Sequence, residues 1–411
     1  MALEVSVATR LLGENIPYLC LAAIISLAIY QVLLWYPLRH IPGPTSAGWS
    51  MWWQFRASMG GEYDERLREV ADKYGPLVRI GPTQLLSSDP EVIRRISSVR
   101  SSFTKGKFYQ SGRIVPGVDN VVSTRNEDKH KAMRAQMAPA FSPKKNDGYS
   151  FEAGIDRQLA AFIRLLDTKY VSTSTDVKPF DLAEKTQFYA LDAIGDISWG
   201  KPFGYLETDR DLYDYNTINM TSLPVMDLIA VFPWLGRLAH TWPLRLILPR
   251  EGDEVGFGRL MGALLDEIQR VSSTVDSPIS WNQTQQLPYL QSVIREGLRM
   301  WPPIAGLGFK RVPPGGDVIN GYFVPGGAEI GQGFLAVGRS KAVWGEDANV
   351  FRPERWLVAD DVQLKKMLAA VDTHFGAGKY SCMGKPIAMM ELHKAVFEVR
   401  QRVRSQVQNC I

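Results

Sequence analysis

Cysteine is scarce in this sequence: the 411 residues contain only Cys20, Cys382 and Cys410. Three scattered cysteines cannot build the framework of paired disulfides that stabilises small secreted domains. The sequence therefore predicts a globular part that faces a reducing compartment.

An excess of charge of either sign is also lacking. The chain has 47 basic and 43 acidic residues, a formal net charge of +4, and no basic run with interleaved aromatic residues. Nucleic acid is therefore excluded as an expected partner. With 45% hydrophobic and 22% charged residues and no internal repeat, the composition fits one large globular domain or two ordinary ones.

One long run without charge is present, at residues 16–36. About 20 apolar residues suffice to cross a bilayer, and Trp35 and Tyr36 at the end of the run are typical of a membrane interface. A cleaved signal peptide is the alternative, but the run is long for one and no small-residue cleavage site follows. We predict residues 1–15 as a short N-terminal segment, 16–36 as a single-pass transmembrane helix that anchors the chain, 37–60 as a Pro/Gly hinge, and 61–411 as the globular body.

Strand patterns are few in the body, so a mainly α fold with a small β-sheet is predicted. Residues 77–80 and 84–87 have strand patterns. Residues 318–324 are predicted to form a hairpin, because Asn320-Gly321 between apolar runs is a strong signal for a two-residue turn. Most other ordered segments carry apolar residues at helical spacing.

The most informative segment is FGAGKYSCMG at residues 375–384, which places Cys382 in a glycine-rich loop just before a predicted helix. A thiolate there would face backbone N–H groups and the positive end of a helix dipole. This setting suits an axial thiolate ligand of haem iron. The alternatives are a small buried cysteine and a phosphate-binding loop; the second fails because Pro386 stands where that loop needs Ser or Thr after the lysine.

Glu296 and Arg299 lie three residues apart in a helical run, so both charges share one face. Arg355, in the proline-broken segment 351–356, offers a second arginine. We expect a buried network of these three side chains to fix the approach of the cysteine loop. The alternative is an ordinary surface ion pair.

His130 and Arg134 lie four residues apart, which lets both side chains reach one anionic group. Haem propionates are such a group, and arginine suits bidentate contact with carboxylates. The alternative is a solvated helix face.

In this order and arrangement, the segments resemble the cytochrome P450 family of haem-thiolate monooxygenases, from about Ile16 to Phe397. The anchor followed by Pro42-Gly43-Pro44 resembles the microsomal type. Residues 102–106, 138–142 and 301–303 resemble the fungal branch of the family used in secondary metabolism.

The resemblance implies a cytochrome P450-like fold, with residues 61–411 as the haem-binding catalytic domain, and a set of site residues. Cys382 would be the proximal ligand of the haem iron and so the metal ligand. The other residues that would bind the haem cofactor are His130, Arg134, Phe375, Gly378 and Gly384. Glu296, Arg299 and Arg355 would form a structural network, and residues 305–309 and 110–122 would line the substrate pocket.

The function implied by the resemblance is oxidation of a lipophilic small molecule, with O2 and with electrons from NADPH through NADPH–cytochrome P450 reductase. The resemblance also implies a single-pass location in the endoplasmic reticulum membrane, with the body facing the cytosol.

The sequence departs from the family in three ways. Tyr380 stands two residues before the cysteine, where the family usually has an arginine, and Lys379 could supply the missing charge. The family's central distal helix, with its Ala/Gly-Gly-x-Asp/Glu-Thr stretch, is missing at a seam near residues 261–264, so no catalytic acid–threonine pair is identified. The chain also ends at Ile411, where family members usually continue into strands that close the pocket.

These departures predict an internally deleted fold and leave a second hypothesis open. That hypothesis is a catalytically inactive or truncated haem-binding membrane protein. A related option is haem chemistry that rearranges an already oxygenated substrate.

Overall fold

Helices dominate the structure, a computed structural model that describes residues 2–113, 118–141, 151–173, 175–232, 280–304 and 307–409. The α-helices in these ranges are α1 (Ala2–Trp35), α2 (Thr45–Trp49), α3 (Trp52–Met59), α4 (Tyr63–Tyr74), α5 (Pro90–Ser97), α6 (Glu127–Met137), α7 (Phe151–Leu165), α8 (Leu182–Trp199), α9 (Tyr205–Thr208), α10 (Tyr215–Val231), α11 (Trp281–Thr284), α12 (Pro288–Met300), α13 (Phe334–Gly338), α14 (Lys341–Trp344), α15 (Arg355–Val358), α16 (Asp361–Asp372) and α17 (Lys385–Asn409). Short turns of 3-10 helix include Tyr36–Leu38, Lys107–Gly112, Thr373–Phe375 and Gly378–Tyr380.

The strands are short. Within the described residues they are β1 (Leu77–Arg79), β2 (Gln84–Ser87), β3 (Thr104–Lys105), β4 (Lys310–Arg311), β5 (Asp317–Ile319), β6 (Tyr322–Val324) and β7 (Glu329–Gln332). One sheet has the order β1-β2-β7-β4-β3, in which β2 and β7 run parallel and the other neighbours run antiparallel. The prediction of a mainly α fold with a small sheet is confirmed.

The separate hairpin of β5 and β6 confirms the predicted turn. Ile319 pairs with Tyr322 across it. The two turn residues, Asn320 and Gly321, have φ of 46° and 82°. A two-residue turn with both φ values positive matches the twist of the strands, and Asn-Gly is the pair best suited to it.

Both faces of the five-stranded sheet are buried. Leu77, Leu85 and Ile330 pack in one hydrophobic cluster. Val78 and Leu86, their alternate neighbours on the strands, pack in another. Successive strand residues point to opposite sides, so this alternation places apolar side chains on each face of the sheet.

Two helices that carry predicted site residues begin at recognisable signals. α6 follows Asn126, whose side-chain oxygen accepts a hydrogen bond from the backbone N–H of Lys129. α12 opens with Pro288, a residue that suits the first turn because its missing N–H would be unpaired there. α12 then buries Glu296 and Arg299 together with the apolar Ile294.

The predicted anchor coincides with α1. Residues Tyr18–Leu38 are long and apolar enough to cross a membrane, and their side chains are mostly exposed, although Leu38 at the end is buried in the body. The predicted seam near residues 261–264 lies outside the described residues, so the expected internal deletion stays a prediction.

Candidate functional site

The loop that carries Cys382 joins α16 to α17 through turns with positive φ, which favour glycine. Gly376 and Gly378 have φ of 72° and 53°. A Cβ on Gly378 would lie 2.2 Å from the carbonyl oxygen of Ser97, at the end of α5. A side chain at Gly378 would therefore clash as well as strain the backbone. The loop is held tightly against α5.

The thiol of Cys382 is exposed, just before α17 begins at Lys385. The backbone N–H of Cys382 donates to the carbonyl of Phe375 at 2.6 Å, which closes the loop on itself. A Cβ on Gly384 would lie 3.8 Å from the sulfur. The sulfur thus lies close to the N-terminal end of a 25-residue helix.

The two predicted residues of α6 both contact this loop. Arg134 Nη1 donates to the carbonyl oxygen of Ser381 at 2.7 Å. The ring of His130 lies 5.6 Å from the ring of Tyr380. Burial, reinforced by the charge of Lys105, lowers the pKa of His130 to about 4, so its imidazole is neutral near pH 7.

Glu296, Arg299 and Arg355 form one buried network. Glu296 accepts hydrogen bonds from Arg299 Nε at 2.9 Å and from Arg355 Nε at 3.0 Å. Trp356 Nε1 and the backbone N–H of Arg352 donate to the same carboxylate at 3.0 and 2.8 Å. Burial alone would raise the pKa of Glu296, but the donors, led by Arg299, outweigh it and lower the pKa. The network is therefore ionised and internally paired.

This network is joined to the cysteine loop through the protein backbone. Arg299 Nη1 donates to the carbonyl oxygen of Gly338, at the end of α13, at 2.7 Å. The ring of His374, next to Phe375, lies with Nδ1 3.1 Å from the carbonyl oxygen of Leu298 in α12. The start of the loop is thus fixed to the helix that carries the ion pair.

Two buried lysines complete the surroundings of the loop, and sequence reasoning missed both. Lys105 on β3 lies directly opposite Lys310 on β4. Their exposed fractions are 3% and 5%. Like charges that face each other across antiparallel strands repel each other. Neither lysine forms an ion pair with a carboxylate in the part of the chain that the structure describes.

The ammonium groups of these lysines contact neutral oxygens instead. Lys310 Nζ donates to the hydroxyl of Tyr109 at 2.5 Å and lies 3.8 Å from the ring centroid of Tyr380. Lys105 Nζ donates to the carbonyl of Val121 at 2.8 Å. Burial lowers the pKa of Lys310 to about 7 and that of Lys105 to about 8. A nearby anion would relieve this cost, so the pair is suited to bind one.

The nearest acid, Glu127, is engaged by other donors. The hydroxyl of Tyr380 donates to Glu127 Oε1 at 2.6 Å, and Lys379 Nζ lies 3.2 Å from Oε2. These hydrogen bonds outweigh burial and lower the pKa of Glu127. Lys379 thus pairs with a protein carboxylate, while Lys105 and Lys310 keep unmatched charge.

The predicted pocket walls are described in part. Residues 305–306 and 114–117 lie outside the described ranges. Leu307 and Phe309 are buried in the hydrophobic cluster beneath the sheet, so their side chains contribute to the core. Val118 and Val122 are exposed, with 58% and 56% of their surface accessible, and fit a wall position better.

Among the described residues, no group of three or more His, Cys, Asp or Glu could hold a metal ion.

A mainly helical fold, an exposed cysteine before a long helix and a buried Glu–Arg–Arg network are consistent with one family. The sequence model of that family, cytochrome P450, matches residues 41–243 and 259–409. The chain belongs to the cytochrome P450 family, which implies a haem-thiolate cofactor.

The chain is also similar to named fungal enzymes over most of their length. "Cytochrome P450 monooxygenase ABA1" of Pyricularia oryzae is 30% identical over 464 aligned positions, covering 94% of this chain and 90% of the relative. "Cytochrome P450 monooxygenase aba1" of Botryotinia fuckeliana is 32% identical, covering 88% and 86%. "Cytochrome P450 monooxygenase abl1" of Leptosphaeria maculans is 28% identical, covering 95% and 82%. The chain is therefore an enzyme of the cytochrome P450 monooxygenase class.

Proposed function

We propose that this protein is a membrane-anchored haem-thiolate monooxygenase in which Cys382 is the proximal ligand of the iron. The observation that carries the proposal is the convergence of an exposed thiol with unmatched buried cations. Cys382 lies at the start of α17, and Lys105 and Lys310 lie on the strands next to the same loop. A haem brings an iron for the first and carboxylates for the second.

The residues around the loop fit a haem. Its propionates are two carboxylates, and Arg134, Lys105 and Lys310 are cations beside the loop, with neutral His130 as a further donor. Lys310 lies over the ring of Tyr380, so its charge stands where the family usually has an arginine. When bound, the haem supplies an iron that can activate O2.

The remaining loop residues have positioning roles in this proposal. Phe375 would pack beside the sulfur, and its carbonyl accepts the N–H of Cys382. Gly378 lets the loop pack against Ser97 of α5, and Gly384 would leave room for a flat ligand beside the sulfur. The Glu296 network fixes α12, and the start of the loop contacts α12 through His374.

The proposed substrate class, partners and location rest on the similarity to fungal members of the family. We propose a lipophilic small molecule of fungal secondary metabolism as substrate, with O2 and an NADPH–cytochrome P450 reductase as electron donor. The apolar stretch Tyr18–Leu38 supports a single-pass anchor. The proposed location in the endoplasmic reticulum, with the body toward the cytosol, rests on the resemblance to the microsomal type.

A second candidate is a haem-binding protein that has lost monooxygenase activity. The alignment with the relative from Pyricularia oryzae spans 464 positions, more than the 411 residues of this chain, so the relative has residues without a counterpart here. The family match is interrupted between 243 and 259, near the predicted seam at 261–264. Loss of the distal helix would remove the acid and threonine that deliver protons.

The carbon monoxide difference spectrum of the reduced, purified chain tests haem ligation. We expect a thiolate-type Soret band in the natural chain and in Cys20→Ala, and no such band in Cys382→Ala. Cys20 is a matched control because it is also exposed but lies in α1. A well-folded natural chain without the band, or a band that persists in Cys382→Ala, would overturn the assignment.

Turnover separates the two candidates. With reductase, NADPH and lipophilic test substrates, a monooxygenase couples NADPH oxidation to oxygenated product. The inactive alternative would show the thiolate band but form no product. Sequencing the transcript across Met261–Leu264 then decides between a real deletion and an omitted exon.

A further inference from the structure

The end of α1 is fastened to the body by one buried arginine. Arg79 on β1 is 3% exposed. Its guanidinium donates to the carbonyl oxygens of Trp35 at 3.0 Å and Leu34 at 3.3 Å. The last carbonyls of a helix lack intrahelical partners, and a cation there is also favoured by the helix dipole. Arg79 therefore caps α1 from within the sheet.

The same guanidinium also binds α2 and the turn between β1 and β2. It donates to the carbonyls of Gly48 at 3.2 Å, Pro82 at 2.6 Å and Gly81 at 3.2 Å. Burial without a carboxylate partner among the described residues lowers the pKa of Arg79 to about 10. Five carbonyl oxygens around one cation leave little freedom in the relative position of α1 and β1.

The segment between α1 and α2, residues 37–44, is the connector, and it is held against the body at several points. Leu38 and Ile41 belong to the hydrophobic cluster on one face of the sheet. The backbone N–H of Arg79 donates to the carbonyl of Pro42 at 2.7 Å. A Cβ on Gly43 would lie 2.1 Å from the carbonyl oxygen of Arg79. Two buried side chains and a close backbone contact with β1 therefore fix the connector, although residues 37, 39 and 40 are exposed.

Several aromatic side chains next to the connector are exposed, close to the end of the apolar stretch. Trp35 at the end of α1 stacks on Trp49, with ring centroids 5.1 Å apart and planes within 5°. Trp49 is 41% exposed, Trp52 56% and Met59 59%. Trp52, Arg56 and Met59 share the exposed face of α3 at spacings of four and three residues. Tryptophan with a basic residue is typical of the membrane interface.

We propose that α1, the connector and α2–α3 form one rigid unit that places the exposed face of α3 in the lipid interface. This inference rests on the proposed membrane anchor and replaces the expected hinge at residues 37–60 with a fixed joint. Gln54, on the buried face of α3, donates to the carbonyl of Ile80 at 3.1 Å and so ties α3 to the same sheet. The lipid surface is the occupant because the exposed tryptophans directly follow the apolar stretch in the fold.

Hydrogen exchange of the full chain in lipid nanodiscs tests the joint. We expect slow exchange of the connector amides in the natural chain, and exchange about tenfold faster or more in Arg79→Gln, because several charge-assisted hydrogen bonds are lost. Arg39→Gln is the matched control. The exposed Arg39 donates to the carbonyl of the neighbouring Tyr36 and lies over its ring. Trp49→Leu, which removes the stack without altering the buried arginine, should accelerate exchange a few-fold.

The outcomes separate this inference from the anchor itself. A chain that alkaline carbonate extracts from membranes has no anchor, and both proposals fall. A chain that resists extraction but exchanges its connector amides as fast as an unfolded peptide keeps the anchor and loses the rigid joint.

Quenching of tryptophan fluorescence by lipids brominated near the headgroup tests the lipid contact. Trp52→Phe should remove a quenched component that Trp301→Phe leaves intact. Trp301 is a suitable control because it is 65% exposed but belongs to the body beyond α12. Equal quenching losses in both variants would overturn the interfacial placement of α3.

Discussion

Two buried charged clusters near the cysteine loop differ in how their charges are matched. In the first, Glu296 is paired with Arg299 and Arg355. In the second, Lys105 faces Lys310 across two strands, and their hydrogen bonds go to neutral oxygens. The charges of the first cluster are matched within the protein, whereas those of the second have no carboxylate partner among the described residues.

The difference separates a structural role from a binding role. A buried ion pair with all its hydrogen bonds made fixes geometry, and removing one partner leaves an uncompensated charge. Buried like charges cost stability in the free protein, and such groups cluster at functional sites. The Glu296 network therefore fits a structural role, whereas the lysine pair fits the proposed binding of the cofactor carboxylates.

The largest effect is expected for Glu296→Gln. Loss of the carboxylate charge leaves two buried arginines without an anion, which should lower the free energy of unfolding by about 3–5 kcal/mol. Urea unfolding of the detergent-solubilised chain measures this. Glu346→Gln is the control, because Glu346 is 88% exposed in its ion pair and its loss should cost under about 1 kcal/mol. Similar costs for both variants would contradict a structural role for the network.

Lys310→Met should have effects of opposite sign on the free and haem-bound protein. Removal of an unmatched buried charge should raise the unfolding free energy of the haem-free chain near pH 7. Loss of a charge-assisted contact of about 1.5–3 kcal/mol should weaken haem retention about 10- to 100-fold. Transfer of haem to apomyoglobin reports retention. Exposed Lys129 gives the control, Lys129→Met, which should change neither quantity.

Tyr380→Phe should have a smaller effect. The variant loses the hydrogen bond from the hydroxyl to Glu127 but keeps the ring beneath Lys310 and the ion pair of Lys379 with Glu127. We expect the unfolding free energy to fall by about 1 kcal/mol, with an unchanged thiolate-type spectrum. A lost Soret band would show that the hydroxyl itself holds the haem.

The smallest effect is a pH dependence of the haem-free chain. Burial holds the pKa of Lys310 at about 7 and that of Lys105 at about 8, below the ordinary value of 10.5. Between about pH 7 and pH 10 the unfolded state therefore binds more protons, so stability should rise with pH in this window. Lys310→Met should flatten the rise seen in thermal unfolding. Equal slopes would contradict a Lys310 whose pKa is lowered by burial.

Sequence pattern predicted the features of the site that are local in the chain. Each of these features depends on a few neighbouring residues: the loop before α17, the three-residue spacing of Glu296 and Arg299, and the Asn320-Gly321 turn. The lysine pair was missed because β3 and β4 come from distant parts of the chain. Which residues face each other across such strands depends on the sheet order, and no spacing rule encodes that.

The connector also makes contacts that its own composition does not encode. Pro42 and Gly43 favour a break in the chain, and the hinge predicted at residues 37–60 stays a prediction. The structure packs them against Arg79, which lies on another element. Composition describes what a segment can do alone, whereas burial by a distant strand decides what it does in the fold.

Proton uptake on haem binding tests the central claim most directly. Calorimetric titration of the haem-free chain at pH 8, in buffers of different ionisation enthalpy, counts the protons exchanged. Ligation of Cys382 releases a thiol proton in every variant, so the comparison with Lys310→Met isolates the lysine. If propionates pair with Lys310, its pKa rises on binding, and the natural chain should take up about one proton more than Lys310→Met. Identical proton counts in the natural chain and the variant would contradict the account.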